Sequence, residues 1–129
     1  MDWIDSVIGK IVSLGHFVKM TGSRVTTHYN KDSDFDYVVY DPQRTLEKEL
    51  KNSSSWTMGG SGNGEEFNSF KREFGETINL ILVDKAEIFQ KYCLATDIIK
   101  SVNPKTKAER IAYFDMVFGR KTQTEALPF

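Results

Sequence analysis

The segment Thr77-Ile-Asn-Leu-Ile-Leu-Val83 constrains this chain more than any other. An almost continuous run of branched apolar residues needs cover on both faces, which predicts a strand in the middle of a sheet. A more polar extended run, Phe67 to Phe74, precedes it across Gly75, so the two read as a hairpin turned at that glycine. Cover for the sheet is visible elsewhere. Trp3, Ile4, Val7, Ile8, Ile11 and Leu14 recur at three- and four-residue spacing, the stripe of an amphipathic helix that Gly15 can end. Ile88, Tyr92, Ala95, Ile99 and Val102 mark a second such helix, broken at Asn103-Pro104, and Ile111, Phe114 and Phe118 a third that stops near Gly119. Phe17 to Met20 and Asp34 to Tyr40 read as two further strands, and Gln43 to Leu50 as a short polar helix. With 129 residues, 40% hydrophobic and 27% charged, the chain has the length and composition of one globular domain. The expectation is a mixed α/β or α+β fold over residues 1–119, a small mixed sheet flanked by helices with two helices at the C-terminal end, followed by a loose tail over 120–129.

Composition narrows the function classes. Lys and Arg total 17 against 18 Asp and Glu, so no global field draws the protein to nucleic acid or an anionic membrane. The basic excess around Lys100, Lys105, Lys107, Arg110, Arg120 and Lys121 reads first as a solvated helical face, with contact to a nucleic-acid backbone or an acidic partner as the alternative. No run approaches the roughly 18 apolar residues of a membrane span, and the first residues carry acids rather than the lysines of a signal peptide, so the expected location is the cytosol. The single cysteine, Cys93, lies in a helical apolar pattern and reads as a small buried hydrophobe. His16 and His28 lack partners at zinc-ligand spacing. His16 reads as a strand-edge residue.

Several motifs have a plainer structural reading. Asp32, Asp34 and Asp36 resemble the start of a calcium loop, but Tyr37 and Gln43 stand where glycine and glutamate are required. Gly59, Gly60, Gly62 and Gly64 precede Glu65-Glu66 rather than Lys-Ser, so they read as part of a mobile Ser/Gly-rich loop from Asn52 to Glu66. Asp84 with Glu87, and Thr106 with Glu109, have capping-box spacing at helix starts.

The chemistry concentrates between Met20 and Tyr40. On a strand, Asp34 and Asp36 share a face while Phe35, Tyr37 and Val39 take the other. Two neighbouring carboxylates disfavour each other's ionisation, and a divalent cation between them relieves this. Magnesium suits such a site, since it accepts one or two carboxylates together with water and phosphate oxygens. Gly22-Ser23 lies at the end of the preceding strand, and a helix beginning there would form a phosphate cradle, with Ser23 adding a hydroxyl. Arg24 follows, a candidate charge-assisted phosphate contact. Metal-binding acids beside a phosphate cradle are what phosphoryl or nucleotidyl transfer requires.

Gly22-Ser23, ten residues, then Asp34-Phe35-Asp36 resembles the signature of the minimal nucleotidyltransferases of the DNA polymerase β superfamily. The segment Ile78 to Leu82 with the two following helices is similar to small nucleotidyltransferase-like proteins of tailed phages. The resemblance implies that Asp34 and Asp36 hold Mg2+ on a nucleoside triphosphate, ATP foremost, and that Gly22, Ser23 and Arg24 hold its phosphates. It implies transfer of a nucleoside monophosphate, AMP first among them, to a hydroxyl on a protein tyrosine, an RNA end or a small molecule, with a partner protein or a second copy helping to recognise the acceptor. In that family a third acid on a neighbouring strand activates the hydroxyl. Asn79 stands at that position here, and an amide cannot take a proton. Asp84, Glu76 and His28 are candidate substitutes. The alternative implied by Asn79 is a catalytically impaired member of the fold that binds or regulates, such as a phage protein acting on a host factor.

Overall fold

The computed structural model describes residues 2–59 and 68–120. In chain order its elements are α1 (Trp3–Ser13), β1 (Val18–Thr21), a 3-10 turn (Ser23–Val25), β2 (Phe35–Tyr40), α2 (Thr45–Lys51), β3 (Thr57–Met58), β4 (Asn68–Phe74), β5 (Glu76–Val83), α3 (Ala86–Val102) and α4 (Lys107–Phe118). The apolar run is indeed the middle strand, because the sheet order is β1-β2-β5-β4-β3. β2 and β5 pair in parallel, and the other three pairings are antiparallel. The hairpin turns at Gly75, whose φ of 79° favours glycine, and β4 and β5 then pair outward from Phe74 opposite Glu76.

Strand alternation divides the side chains between two layers. Tyr37, Val39, Ile78, Leu80, Leu82 and Phe70 face one side, where Ile4 and Ile11 of α1 and Leu46 and Leu50 of α2 join them in one buried cluster. Each such side chain contributes about 1.5–3 kcal/mol when fully removed from water. Val38 and Val83 face the other side beneath Tyr92 of α3 and Phe114 and Phe118 of α4. Tyr92 meets the rings of Phe114 and Phe118 edge-on at 5.4 and 5.3 Å, which fixes α4 against α3. α3 ends at Asn103 in the left-handed conformation, just before Pro104, and α4 opens with the expected Thr106–Glu109 capping box and closes at Gly119.

Some expectations are corrected. Asp84 does not cap α3. The helix starts two residues later after Lys85, which makes no side-chain cap, and the Asp84 carboxylate instead pairs with Arg44 at 3.0 Å. β3 lies inside the segment expected to be an irregular loop. It exists because Thr57 and Met58 find partners in Lys71 and Phe70 of β4, and the backbone N–H of Gly59 donates to the Ser69 carbonyl. Gly60, Gly62 and Gly64 lie outside the described residues, as does 121–129 of the tail. Arg120, expected to begin a loose tail, is held by Asp115, whose carboxylate lies 3.1 Å from the guanidinium. His16 sits at a strand edge, its Nδ1 3.1 Å from the Tyr40 carbonyl oxygen. Among the described residues no helix is long and apolar enough to cross a membrane.

Candidate functional site

One register row organises the site. Thr21 of β1, Asp36 of β2, Asn79 of β5 and Lys71 of β4 are successive cross-strand partners. They lie on the face covered by α3 and α4, at the end where β2 begins. The Asn79 amide donates to Asp36 Oδ1 at 3.0 Å, and the hydroxyls of Thr21 and Thr96 of α3 are 2.8 Å apart. Asp34, immediately before β2, pairs with Lys71 at 3.0 Å.

The loop between β1 and β2 is built to bring Gly22 against this row. Gly22 has a φ of 78°, and a Cβ placed on it would collide with Asp36 Oδ2. Only glycine fits, for both backbone and steric reasons. The expected helix after it is a single 3-10 turn, closed by the Thr26 N–H donating to the Ser23 carbonyl. Three residues align too few peptide dipoles for a helix-end field, so any phosphate contact at this corner is local, from the backbone and the Ser23 hydroxyl. Asn103 steadies the next stretch, accepting from the Thr27 backbone N–H and donating to the Thr27 hydroxyl, each at 2.8 Å.

Arg24 serves the loop. It donates to the carbonyls of Ser33 and Lys31 at 3.0 and 2.8 Å, and its guanidinium lies 3.7 Å from the centre of the Phe35 ring. These contacts tie Arg24 to the segment that delivers Asp34.

Above the row, α4 closes a cavity of about 350 Å³ lined by Gly22, Ser23, Asp34, Asp36, Lys107 and Arg110 among others. A second cavity of about 770 Å³ shares Gly22 and Asp36 with it and continues past Asn79 toward Asp115 and Arg120. Gly22, Ser23, Asp34 and Asp36 are therefore brought together, with Asn79 in the adjoining wall. Asp84 is not, since it lies five residues beyond Asn79, just past the end of β5, about 16 Å away at the rise of a strand. Glu76 is exposed at the hairpin, and the His28 ring lies 3.3 Å from the Asn103 amide, neither at the cavity.

Electrostatics follow from this packing. Burial raises the Asp36 carboxyl above its ordinary value, the Asn79 hydrogen bond opposes that, Asp34 adds to it, and Lys71 and Arg110 oppose it. Arg110 is lowered by burial and partly restored by Asp36. Among the described residues neither Lys107 nor Arg110 has an ion-pair partner. Burial also raises the Cys93 thiol, so this cysteine is no ready thiolate. Among the described residues no group of three His, Cys, Asp or Glu side chains is arranged to hold a metal. The donor set is two carboxylates, which fits a hard cation that shares its remaining positions with water and phosphate rather than a closed protein cage.

Lys71, Lys107 and Arg110 were not singled out as site residues from the sequence. Two signals could have found them. Counting outward from Gly75 pairs Lys71 with Asn79, and Lys107, Arg110, Ile111 and Phe114 follow helical spacing on one face of α4. Comparison with known proteins found no family model and no curated protein that this chain matches.

Proposed function

We propose that the cavity binds a magnesium nucleoside triphosphate, ATP foremost, and that the protein transfers the nucleoside monophosphate to a hydroxyl. The observation that carries this reading is the convergence of Gly22, Ser23, Asp34 and Asp36 on one cavity roofed by Lys107 and Arg110. Glycine at position 22 lets the Asp36 carboxylate lie directly against this corner of the backbone, and Ser23 donates a hydroxyl. Asp34 and Asp36 are the residues to hold Mg2+, which supplies charge neutralisation at the phosphates and in-line support for displacement. Lys107 and Arg110 add positive charge on the opposite wall. The acceptor oxygen bonds to the α-phosphorus, the bond from that phosphorus to its bridging oxygen breaks, and pyrophosphate leaves. Asn79 cannot take the acceptor's proton, so the proton passes to water, and the missing base lowers the rate by about 10²–10⁴. A protein side chain, an RNA end or a small hydroxylated molecule each presents the required hydroxyl, and a partner protein or a second copy would supply acceptor recognition.

A second reading, binding without transfer, is favoured by the contacts that Asn79 makes to Asp36 and Lys71 to Asp34. An amide and an ammonium occupy positions around the acids where a transferase benefits from a base and a second cation. Incubation with Mg2+ and α-labelled ATP, alongside Asp34→Asn and Asp36→Asn, separates the two. Transfer of label or release of pyrophosphate that the variants lose supports the enzyme. Magnesium-dependent ATP binding without turnover supports the binder, and no ATP binding by the wild type removes both.

A further inference from the structure

Two residues that line the larger cavity beside Asp36 carry buried acceptor atoms that lack hydrogen-bond partners. Asn79 is oriented by donating its amide N–H to Asp36, which turns its Oδ1 away, and that oxygen is buried without a partner. Asp115 has a side chain only 4% exposed; its Oδ1 lies 3.1 Å from the Arg120 guanidinium, and its Oδ2 has no hydrogen-bond partner. Buried acceptors left in this state are uncommon and costly, and two that line one cavity call for a ligand bearing donors. The rest of the lining suits a flat ring, with Ile81, Tyr92, Ile111 and Phe114 supplying aliphatic and aromatic surface. At about 770 Å³ the cavity lies within the range of small-molecule sites.

The direction of α4 orders the ligand. Lys107 and Arg110, near its start, line the cavity that holds Gly22, Ser23 and both aspartates, whereas Asp115, eight residues on, lines the second cavity. Eight residues of helix advance about 12 Å. Phosphates at the first end, ribose near Asn79 and base near Asp115 follow in sequence. The larger cavity suits a purine, and at the purine 6-position adenine presents an amine N–H to Asp115 where hypoxanthine and guanine present a carbonyl oxygen; a guanine would have to turn its 2-amino edge inward instead.

We propose that this second cavity is an adenine subsite in which Asp115 Oδ2 accepts from the exocyclic amine and Asn79 Oδ1 from the ribose. It rests on the phosphate-binding reading of the first cavity. The test is calorimetric titration of the full chain at fixed Mg2+ with three probes: ATP, inosine triphosphate, which replaces the amine by a carbonyl, and inorganic tripolyphosphate. The wild type is expected to bind ATP at least about tenfold more tightly than inosine triphosphate, the size of one charge-assisted hydrogen bond. Asp115→Asn, which can turn an amide donor toward the carbonyl, is expected to erase or reverse that preference while leaving tripolyphosphate affinity unchanged, which also reports a folded variant. The wild-type ratio decides without the variant. Equal or tighter binding of inosine triphosphate overturns the adenine subsite, and with tripolyphosphate still bound the phosphate site stands. Failure of all three probes to bind removes both.

Discussion

The two faces of one sheet have different fates. Toward α1 and α2, β2 and β5 present Tyr37, Val39, Ile78, Leu80 and Leu82, all buried in one apolar cluster, and the cavity on that side, about 260 Å³, is lined by α1, α2, Trp56 and Arg72 rather than by these two strands. Toward α3 and α4, the same strands present Asp36, Val38, Asn79, Ile81 and Val83, and packing is complete only at the Val38 and Val83 end. At the Asp36 and Asn79 end, the layer gives way to two cavities. The difference shows how a small domain can hold a half-buried carboxylate pair. The closed face fixes the backbone of β2 and β5, so the open face can keep polar groups that burial alone would not favour.

The largest expected effect belongs to the closed face. Leu80→Ala, at a side chain with no exposed surface, should lower stability by about 2–5 kcal/mol in urea unfolding while ATP affinity of the remaining folded protein holds. If affinity falls with stability, the two faces are not separable. Gly22→Ala tests the open face in the reverse sense. A methyl group there collides with Asp36 and the backbone φ is unfavourable, so stability should fall by about 1–3 kcal/mol and ATP binding should be lost in calorimetry. Retained binding in this variant would show that Gly22 and Asp36 do not act as one unit.

The closed face was largely legible in the sequence, and the open face only in part. The run Thr77 to Val83, the Gly75 pivot and the helical stripes each follow from local periodicity, and that is enough to place β5 centrally and helices over it. Gly22, Ser23, Asp34 and Asp36 were readable because chain-local spacing puts them in one loop and the strand after it. The loop contacts of Arg24 are not legible in the sequence, because its partners, the carbonyls of Lys31 and Ser33 and the Phe35 ring, depend on how that loop folds back. Asp84 was misjudged because Arg44, forty residues earlier, competes for its carboxylate. Asp115 reads in sequence as one charge among several on a helix, and only the packing of α4 over the sheet turns it inward.

A smaller effect sharpens the comparison at the rim of the open face. The Lys71 ammonium occupies Asp34 and would have to yield for a cation to use that carboxylate. Its side chain is 53% exposed, so the pair is weak, on the order of 1 kcal/mol or less. Lys71→Met should therefore tighten Mn2+ binding by about two- to fivefold, read by paramagnetic resonance of the free ion. Unchanged or weaker Mn2+ binding would remove Asp34 from the proposed metal ligands.

The smallest effect is a pH dependence that should differ in kind between the faces. Burial raises the Asp36 carboxyl, helped by Asp34 and opposed by Asn79, Lys71 and Arg110, so the folded protein holds this proton more tightly than the unfolded chain does. Stability from Asp36 is fully present below the ordinary carboxylate value and is lost as pH rises through the raised one. On the closed face, burial raises the Tyr37 phenol, with the charges of Asp5 and Asp2 adding to it, so its own step of the same sign begins only above the ordinary phenol value, in alkali. In metal-free buffer, the urea stability of the wild type minus that of Asp36→Asn should fall as pH rises from the acid side toward neutrality. The corresponding difference for Tyr37→Phe should stay flat there and fall only in the alkaline range. Mg2+ should reverse the acid-side trend, because a cation binds the ionised carboxylate and stabilises the folded state more as pH rises. A flat Asp36 difference without metal would mean that water reaches this carboxylate freely, and the contrast between the face with paired aspartates and the largely apolar one would then rest on packing alone.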